Sequence, residues 1–382
     1  MLITRRMGVP IEAGRFATID GLRGYLAMLV FFSHGCLWYF YLRTGRWVIP
    51  PSRLYTHMGQ SSVALFFMIT GFLFFSKLID ARKKHIDWTR LFVSRFLRLG
   101  PLYLFAVLAV LLIVAHLSNG KLNEPHIFLL KHIVEWLAFS VVGSPNINGI
   151  GNSSTIMAGV TWSLSYEWFF YLSLPVLALC VRVAPPVQYI LLGLCSVFAF
   201  SFLHPNLYHL LAFGGGIAAA VLSRWEKICE LASRGITSLV VLGSIGVAVA
   251  CYPTAAETAP LFLLSVAFII IACGNSLFGF LTHPVSRTLG QMAYSIYLLH
   301  GIVLFVTFNF VLGLQISRQL SPLKHWLLVM AATPILVVLC DATFRLIEQP
   351  AMRSTNDVIA WLRSGLPVRL FGYPASRKPV DT

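Results

Sequence analysis

The stretch Ile19-Asp20-Gly21-Leu22-Arg23-Gly24, running on to Phe32-Ser33-His34-Gly35, decides how the chain is read. It opens a strongly apolar segment, yet it carries an Asp, an Arg and a His. Arg23 and His34 are eleven residues apart. At about 3.6 residues per turn that is about three turns, so both side chains fall on nearly one helix face, roughly 16 Å apart along the axis. Asp20, three residues before Arg23, is placed to pair with it. Ionisable groups kept on one stripe of a spanning helix are costly in lipid and mark a functional interior face.

The composition supports a membrane reading. Of 382 residues 57% are hydrophobic and 11% charged, with a mean hydropathy of +0.78, whereas a soluble domain carries about 25% charged residues. Several runs of about 20 apolar residues are long enough to cross a hydrocarbon core. They lack the alternation of a transmembrane barrel, so the expected fold is an all-α polytopic membrane protein. The net charge of +15 is read as orientation signals beside the spans and contacts to membrane lipids, with no nucleic acid as partner. The seven Cys are scattered, mostly inside apolar runs, with no C-x-x-C spacing. Neither a disulfide framework nor a metal site is expected. The first 15 residues are polar and basic, and the apolar run after them is too long for a cleavable signal, so none is expected.

Spans are expected at about 18–41, 62–79, 98–116, 162–182, 188–204, 207–222, 237–252, 260–278, 291–312 and 325–346, each boundary good to about 2–4 residues. The connection from Lys77 to Arg98 holds Lys77, Arg82, Lys83, Lys84, Arg90, Arg95 and Arg98, and is expected on the cytoplasmic side with both termini. Arg224, Lys227, Arg234 and the basic C-terminal segment fall there too. An even number of crossings must then separate the spans at 98–116 and 162–182. The short apolar piece at 127–142, interrupted by Lys131, His132, Glu135 and Trp136, is therefore read as re-entrant or interfacial, and the count is about ten. This places about 22 of the 29 Lys and Arg inside. The expected organisation is a cytoplasmic tail over 1–17, a transmembrane domain over 18–350 and a second cytoplasmic tail over 351–382. The turn-rich external segment at about 117–161 is a candidate lid or acceptor loop.

Four features carry chemistry. His34 falls in the outer half of the membrane, where an imidazole can serve as general base or simply bond within a helix interface. Arg95 and Arg98, at i and i+3, share one face at the cytoplasmic boundary. They are either membrane anchors or a clamp for phosphate groups. In Trp162-Ser163-Leu164-Ser165-Tyr166-Glu167, continuing to Tyr171, the residues Ser163, Glu167 and Tyr171 repeat by four on one face. Glu167 lies at a depth comparable to His34, so a carboxylate–histidine pair is expected there, unless the Glu is satisfied elsewhere. Tyr297 and His300, one turn apart, form either a core polar pair or bring a second catalytic His.

Together these stretches resemble the acyltransferase-3 family of integral membrane acyltransferases, over about Phe16 to Pro350. Asp20-Gly21-Leu22-Arg23-Gly24 is similar to that family's first-helix signature. Arg23 and His34 match its Arg-x10-His motif, Arg95 and Arg98 its Arg-x-x-Arg motif, and Trp162-Ser163-Leu164-Ser165-Tyr166-Glu167 its Trp-Ser-Leu-Ser-x-Glu. Leu65-Phe66-Phe67-Met68-Ile69-Thr70-Gly71, Tyr294 to His300 and Glu348-Gln349-Pro350 complete the set. Ala64 stands where many members have Asp, so an Asp-dependent role in the second helix is absent.

The resemblance implies transfer of an acyl group, commonly acetyl from acetyl-CoA, to a hydroxyl of a surface glycan or lipid-linked glycan at the bacterial inner membrane. It implies His34 as general base with Glu167 orienting it, and Arg23, Arg95 and Arg98 at the acyl-CoA donor. Asp20, Trp162, Ser163, Tyr171, Tyr297 and His300 would support them. Some relatives carry an extracytoplasmic hydrolase-like domain. None is expected here, so the chain would act on the acceptor itself or hand over to a separate extracytoplasmic partner protein. The rival class is a transporter or flippase for a glycan intermediate. Such proteins often show internal repeats, and none is found; consumption of acyl-CoA separates the two classes.

Overall fold

The computed structural model describes residues 11–365, so parts of both expected tails, 1–10 and 366–382, lie outside the described residues. The described chain is helical, and its only β feature is an isolated bridge between Ile147 and Ile150. In chain order the helices are α1 (Ile11–Thr44), α2 (Arg53–Asp80), α3 (Trp88–Leu117), α4 (His126–Leu137), α5 (Trp162–Cys180), α6 (Val187–Ser201), α7 (Leu207–Leu222) and α8 (Glu226–Ala232). They continue as α9 (Gly235–Cys251), α10 (Thr258–Ala272), α11 (Pro284–Gln291), α12 (Ala293–Val306), α13 (Leu314–Gln319), α14 (Pro322–Thr343), α15 (Gln349–Arg353) and α16 (Thr355–Gly365).

The protein is an all-α polytopic membrane protein. Six helical stretches are long and apolar enough to cross a membrane: those of α1, α2, α3 and α5, α12 extended to Val311, and α14 continuing to Ser364. The α7–α8 pair is bent by 109° and makes a seventh if taken as one span. Helices α6, α9 and α10, of 15 to 17 residues, are apolar but shorter than the roughly 20 residues a perpendicular crossing needs. All ten segments read from hydropathy are thus helical. α4 has 12 residues, about 18 Å of rise and too short to cross. Its Trp136 is buried and donates to Pro145 O at 2.9 Å, while Tyr103 donates to Trp136 O at 2.7 Å. α16, within the segment expected to be a tail, packs along α3, and Arg363 bonds Asp87 at 2.7 Å.

Close backbone contact sets the position of α1. A Cβ on Gly21 would lie 1.9 Å from Leu281 O, and one on Gly290 would lie 2.0 Å from Asp20 O. Gly24 abuts Leu289 and Gly290 in the same way. The glycines of the first-helix signature are therefore a packing seam, Gly21 against the 280–282 turn and Gly24 against the short α11 that follows it, of the small-residue kind that lets membrane helices approach. A second seam joins α2 to α7, where a Cβ on Gly216 would lie 2.0 Å from Met68 O. At the other end of α1, His325 of α14 bonds Gly35 O at 2.8 Å. Helix α1 is thus fixed at both ends by contacts that tolerate little adjustment.

Substitution at these seams should read out directly. Gly290→Val is expected to cost about 2 kcal/mol or more, because backbone rather than a flexible side chain occupies the space. Gly243→Ala, where nothing lies within 4 Å, is expected to leave stability unchanged or slightly raised. Thermal unfolding of the two variants in one detergent checks both outcomes.

Candidate active site

Two helices bring the sequence-predicted arginines together. Arg23 of α1 and Arg95 and Arg98 of α3 line one narrow cavity of about 90 Å³ with Ser163, Glu167 and Tyr171 of α5 and Tyr297 of α12. The spacing by four in α5 therefore does present one face to the site. Tyr171 donates its hydroxyl to Glu167. Arg95 sits 5.3 Å from the ring centroid of Phe74, and Arg98 contacts the Met352 sulfur at 3.1 Å. Among the described residues no carboxylate lies within ion-pair distance of Arg23, Arg95 or Arg98. Three guanidiniums thus face one carboxylate in a partly buried cavity. Such an excess of positive charge favours a polyanionic ligand, and the planar forks suit phosphate.

The expected pairing of Asp20 with Arg23 does not form. Asp20 is exposed at the α11 seam, with its carbonyl against Gly290, whereas Arg23, three residues on, turns into the cavity. An i,i+3 spacing permits contact but does not compel it when the two side chains leave the helix toward different surroundings.

His34 occupies a second cavity, of about 370 Å³, with Ser33, Gln60, Val63, Trp162, His209 and Tyr297 on its walls. Its ring also borders a third, more open space of about 660 Å³ beneath the 140–144 loop, again with Trp162. Trp47 stacks over His34 with centroids 6.2 Å apart. The expected Glu167–His34 pair is absent. Glu167 turns into the arginine cavity, while His34 Nδ1 lies 3.2 Å from His300 Nε2 and 3.0 Å from Val30 O.

The hydrogen bonds fix the tautomers of this histidine pair. His300 Nδ1 lies 3.0 Å from Ile296 O, and a carbonyl only accepts, so neutral His300 carries its proton on Nδ1 and leaves Nε2 bare. His34 Nδ1–H then donates to Val30 O and to His300 Nε2. The free lone pair of His34 is left on Nε2, the arrangement a general base needs. His300 is fully buried and takes the position expected of the carboxylate. Tyr297, expected as a companion of His300, meets its ring edge to face at 6.2 Å and also shares a hydrogen bond of 2.8 Å with Ser163.

Sequence reasoning missed several residues here. Trp47 and His209 lie in stretches without a polar pattern; His209 sits 4.7 Å from the Trp162 ring and 5.0 Å from that of Tyr166, and its Nδ1 is buried with no partner. Glu348, quoted only as part of a terminal motif, is fully buried. It accepts from the Ser295 hydroxyl, and its other oxygen has no partner. A carboxylate beside a long apolar run was the available signal.

These features define an integral membrane protein with a polar site enclosed in its helix bundle. The acyltransferase-3 family model, described as an acyltransferase domain, matches residues 16–345, and the chain belongs to this family. It is a membrane O-acyltransferase, which requires an acyl donor and a glycan or lipid acceptor. The chain is 25% identical over 386 aligned residues to Nodulation protein 10 of Rhizobium leguminosarum bv. viciae, covering 91% of this chain and 96% of that one. It is 26% identical over 185 residues to Acyltransferase MdmB of Streptomyces mycarofaciens, covering 46% of this chain and 43% of the relative. No solved structure matches.

The buried Glu348 gives a test of the site's polar interior. Ser295→Ala leaves neither carboxylate oxygen paired and is expected to destabilise the protein by about 1–3 kcal/mol. Glu348→Gln in that background is expected to recover part of the loss, because a neutral amide is cheaper to bury. A double-mutant cycle on thermal unfolding checks the coupling.

Proposed function

We propose that the protein transfers an acetyl group from acetyl-CoA to a hydroxyl of a cell-surface glycan or a lipid-linked glycan, in the bacterial inner membrane. The observation that carries this reading is that the three spaces lie side by side and share walls. The arginine cavity shares Val63 and Tyr297 with the His34 cavity, and that cavity shares His34 and Trp162 with the open space under the 140–144 loop. A donor with anionic phosphates fits the first space, and a hydroxyl acceptor fits the last. Their reactive ends meet at His34. The basic connection from Lys77 to Arg98 supports the arginine end as the cytoplasmic one, where CoA is available. Apart from the tails over 1–17 and 351–382, the chain is proposed to act as one transmembrane domain.

The chemistry then runs as a single displacement. His34 Nε2 takes the proton of the acceptor hydroxyl as its oxygen bonds to the thioester carbonyl carbon. The C–S bond breaks, the ester forms, and the CoA thiolate receives the proton from His34 and leaves as the thiol. His300 Nε2, accepting from His34 Nδ1–H, holds the ring in the reactive tautomer. Glu167 is a counter-charge within the arginine cavity, bonded to Tyr171, and not the group that orients His34. Any handover to a separate extracytoplasmic protein would follow release of the ester.

Purified protein in lipid, given radiolabelled acetyl-CoA and a panel of lipid-linked glycans, tests the reaction. His34→Ala is expected to reduce label transfer by about 10²–10⁴-fold. His300→Ala is expected to lower kcat while leaving the affinity for acetyl-CoA near that of the wild type. Undiminished transfer by folded His34→Ala protein refutes the base assignment.

The donor site has its own test. Arg95→Gln and Arg98→Gln are each expected to weaken acetyl-CoA binding about 10–100-fold, the worth of one charge-assisted hydrogen bond set. The remaining affinity should depend less steeply on salt. Calorimetry at two ionic strengths measures both effects.

A further inference from the structure

The Glu167 carboxylate stands where the proposed transfer does not require an acid. It lines the small cavity that holds Arg23, Arg95 and Arg98, and among the described residues no other carboxylate lines it. Its charge is felt by Arg23, as is that of Arg98. Yet it makes no ion pair with any of the three among the described residues. Tyr171, one turn further along α5, donates its hydroxyl to the carboxylate instead. The Tyr171 ring is buried and packs on Phe74 at 4.8 Å, the same ring that Arg95 faces at 5.3 Å. A neutral hydroxyl on its own helix thus tethers the acid beside the cations rather than on them.

The donor proposed above carries the same phosphates before and after transfer. The arginines therefore hold acetyl-CoA and spent CoA alike, and such uniform binding does nothing for the chemical step. With about 10–100-fold in affinity from each charge-assisted set, three unopposed guanidiniums would retain the product as firmly as the donor. Slow release of product limits many enzymes.

We infer that Glu167 is a built-in competing anion that weakens the hold of the arginines on donor and product together and so speeds the departure of CoA. The inference rests on the CoA thioester donor proposed above. One unit of like charge at about 8 Å, in a medium of effective dielectric about 20, lowers affinity about thirtyfold. The tether to Tyr171 keeps the guanidiniums available, so the acid reduces their affinity without closing the site. The sign of this effect separates it from other roles. A carboxylate that held the arginines in place would weaken CoA binding when removed, and one that served the base would leave CoA binding unchanged.

The test measures CoA and acetyl-CoA binding by calorimetry, and CoA dissociation by stopped flow, on the protein in neutral phosphatidylcholine nanodiscs. Thermal unfolding confirms that each variant compared is folded. Glu167→Gln removes the charge and keeps an oxygen that accepts from Tyr171. It is expected to bind CoA and acetyl-CoA each about tenfold or more tightly, with most of the gain as slower dissociation. Tyr171→Phe frees the carboxylate to turn toward the guanidiniums and is expected to act in the opposite sense, weakening CoA binding about fivefold. CoA binding that is unchanged or weaker in Glu167→Gln, or unchanged or tighter in Tyr171→Phe, overturns the competing anion and leaves the donor assignment standing. Failure of the wild type to bind both CoA and acetyl-CoA overturns the donor assignment and the inference with it.

Discussion

The backbone contact between α1 and α11 is the constraint on which the site depends. Gly24 and Gly290 allow the two helices to approach until backbone occupies the space of a side chain, and Gly21 does the same against Leu281 in the turn before α11. That approach fixes the rotation of α1. Arg23, lying between the two glycines, can then face only inward, and the helix carries the same face about three turns further to His34. One rigid element therefore sets the separation of Arg23 and His34, the proposed anion site and base. Neither group reaches its place through a loop, which suits a site whose residues must hold position inside a bundle.

A second consequence follows from lipid as solvent. Charged groups in a membrane are tolerated where they face a cavity or one another. The bundle sorts its polar groups accordingly. The guanidiniums, Glu167 and Tyr171 gather at one end, with the buried Glu348 held by Ser295. Around His34 stand hydroxyls, amides, aromatic rings, aliphatic side chains and two further imidazoles, those of His209 and His300. Formal charge is confined to the arginine end, and the reacting end can remain neutral until substrate arrives.

How much of this was legible in the sequence depends on the range of each contact. The face on which a residue lies within one helix was readable, because helical period alone places it, although the Asp20–Arg23 pairing read from the same period does not form. Arg23 with His34, Arg95 with Arg98, and the face of Ser163, Glu167 and Tyr171 all behave so. The ten apolar segments were readable from hydropathy, although α6, α9 and α10 are shorter than a hydropathy window suggests. Contacts across the bundle were not readable. His34 meets His300 over 266 residues of chain, and no local pattern encodes that. Equal depth of Glu167 and His34 suggested a pair, but depth leaves the angular position in the bundle undetermined. Glu167 was drawn instead to three cations, where a carboxylate is better stabilised than beside a neutral imidazole.

The exchange of a carboxylate for an imidazole behind His34 matters to the proposed chemistry. A buried carboxylate at Nδ1 would hold the imidazolium strongly, which helps the first proton transfer and hinders the second. A neutral imidazole fixes the ring through the same Nδ1–H bond but stabilises the charged form less. A base that must return its proton to a departing thiolate within one displacement gains from that weaker hold. In the proposed transfer from a thioester, the proton only passes through His34. The pairing of His34 with His300, rather than with an acid, is consistent with a group that relays a proton and does not store it.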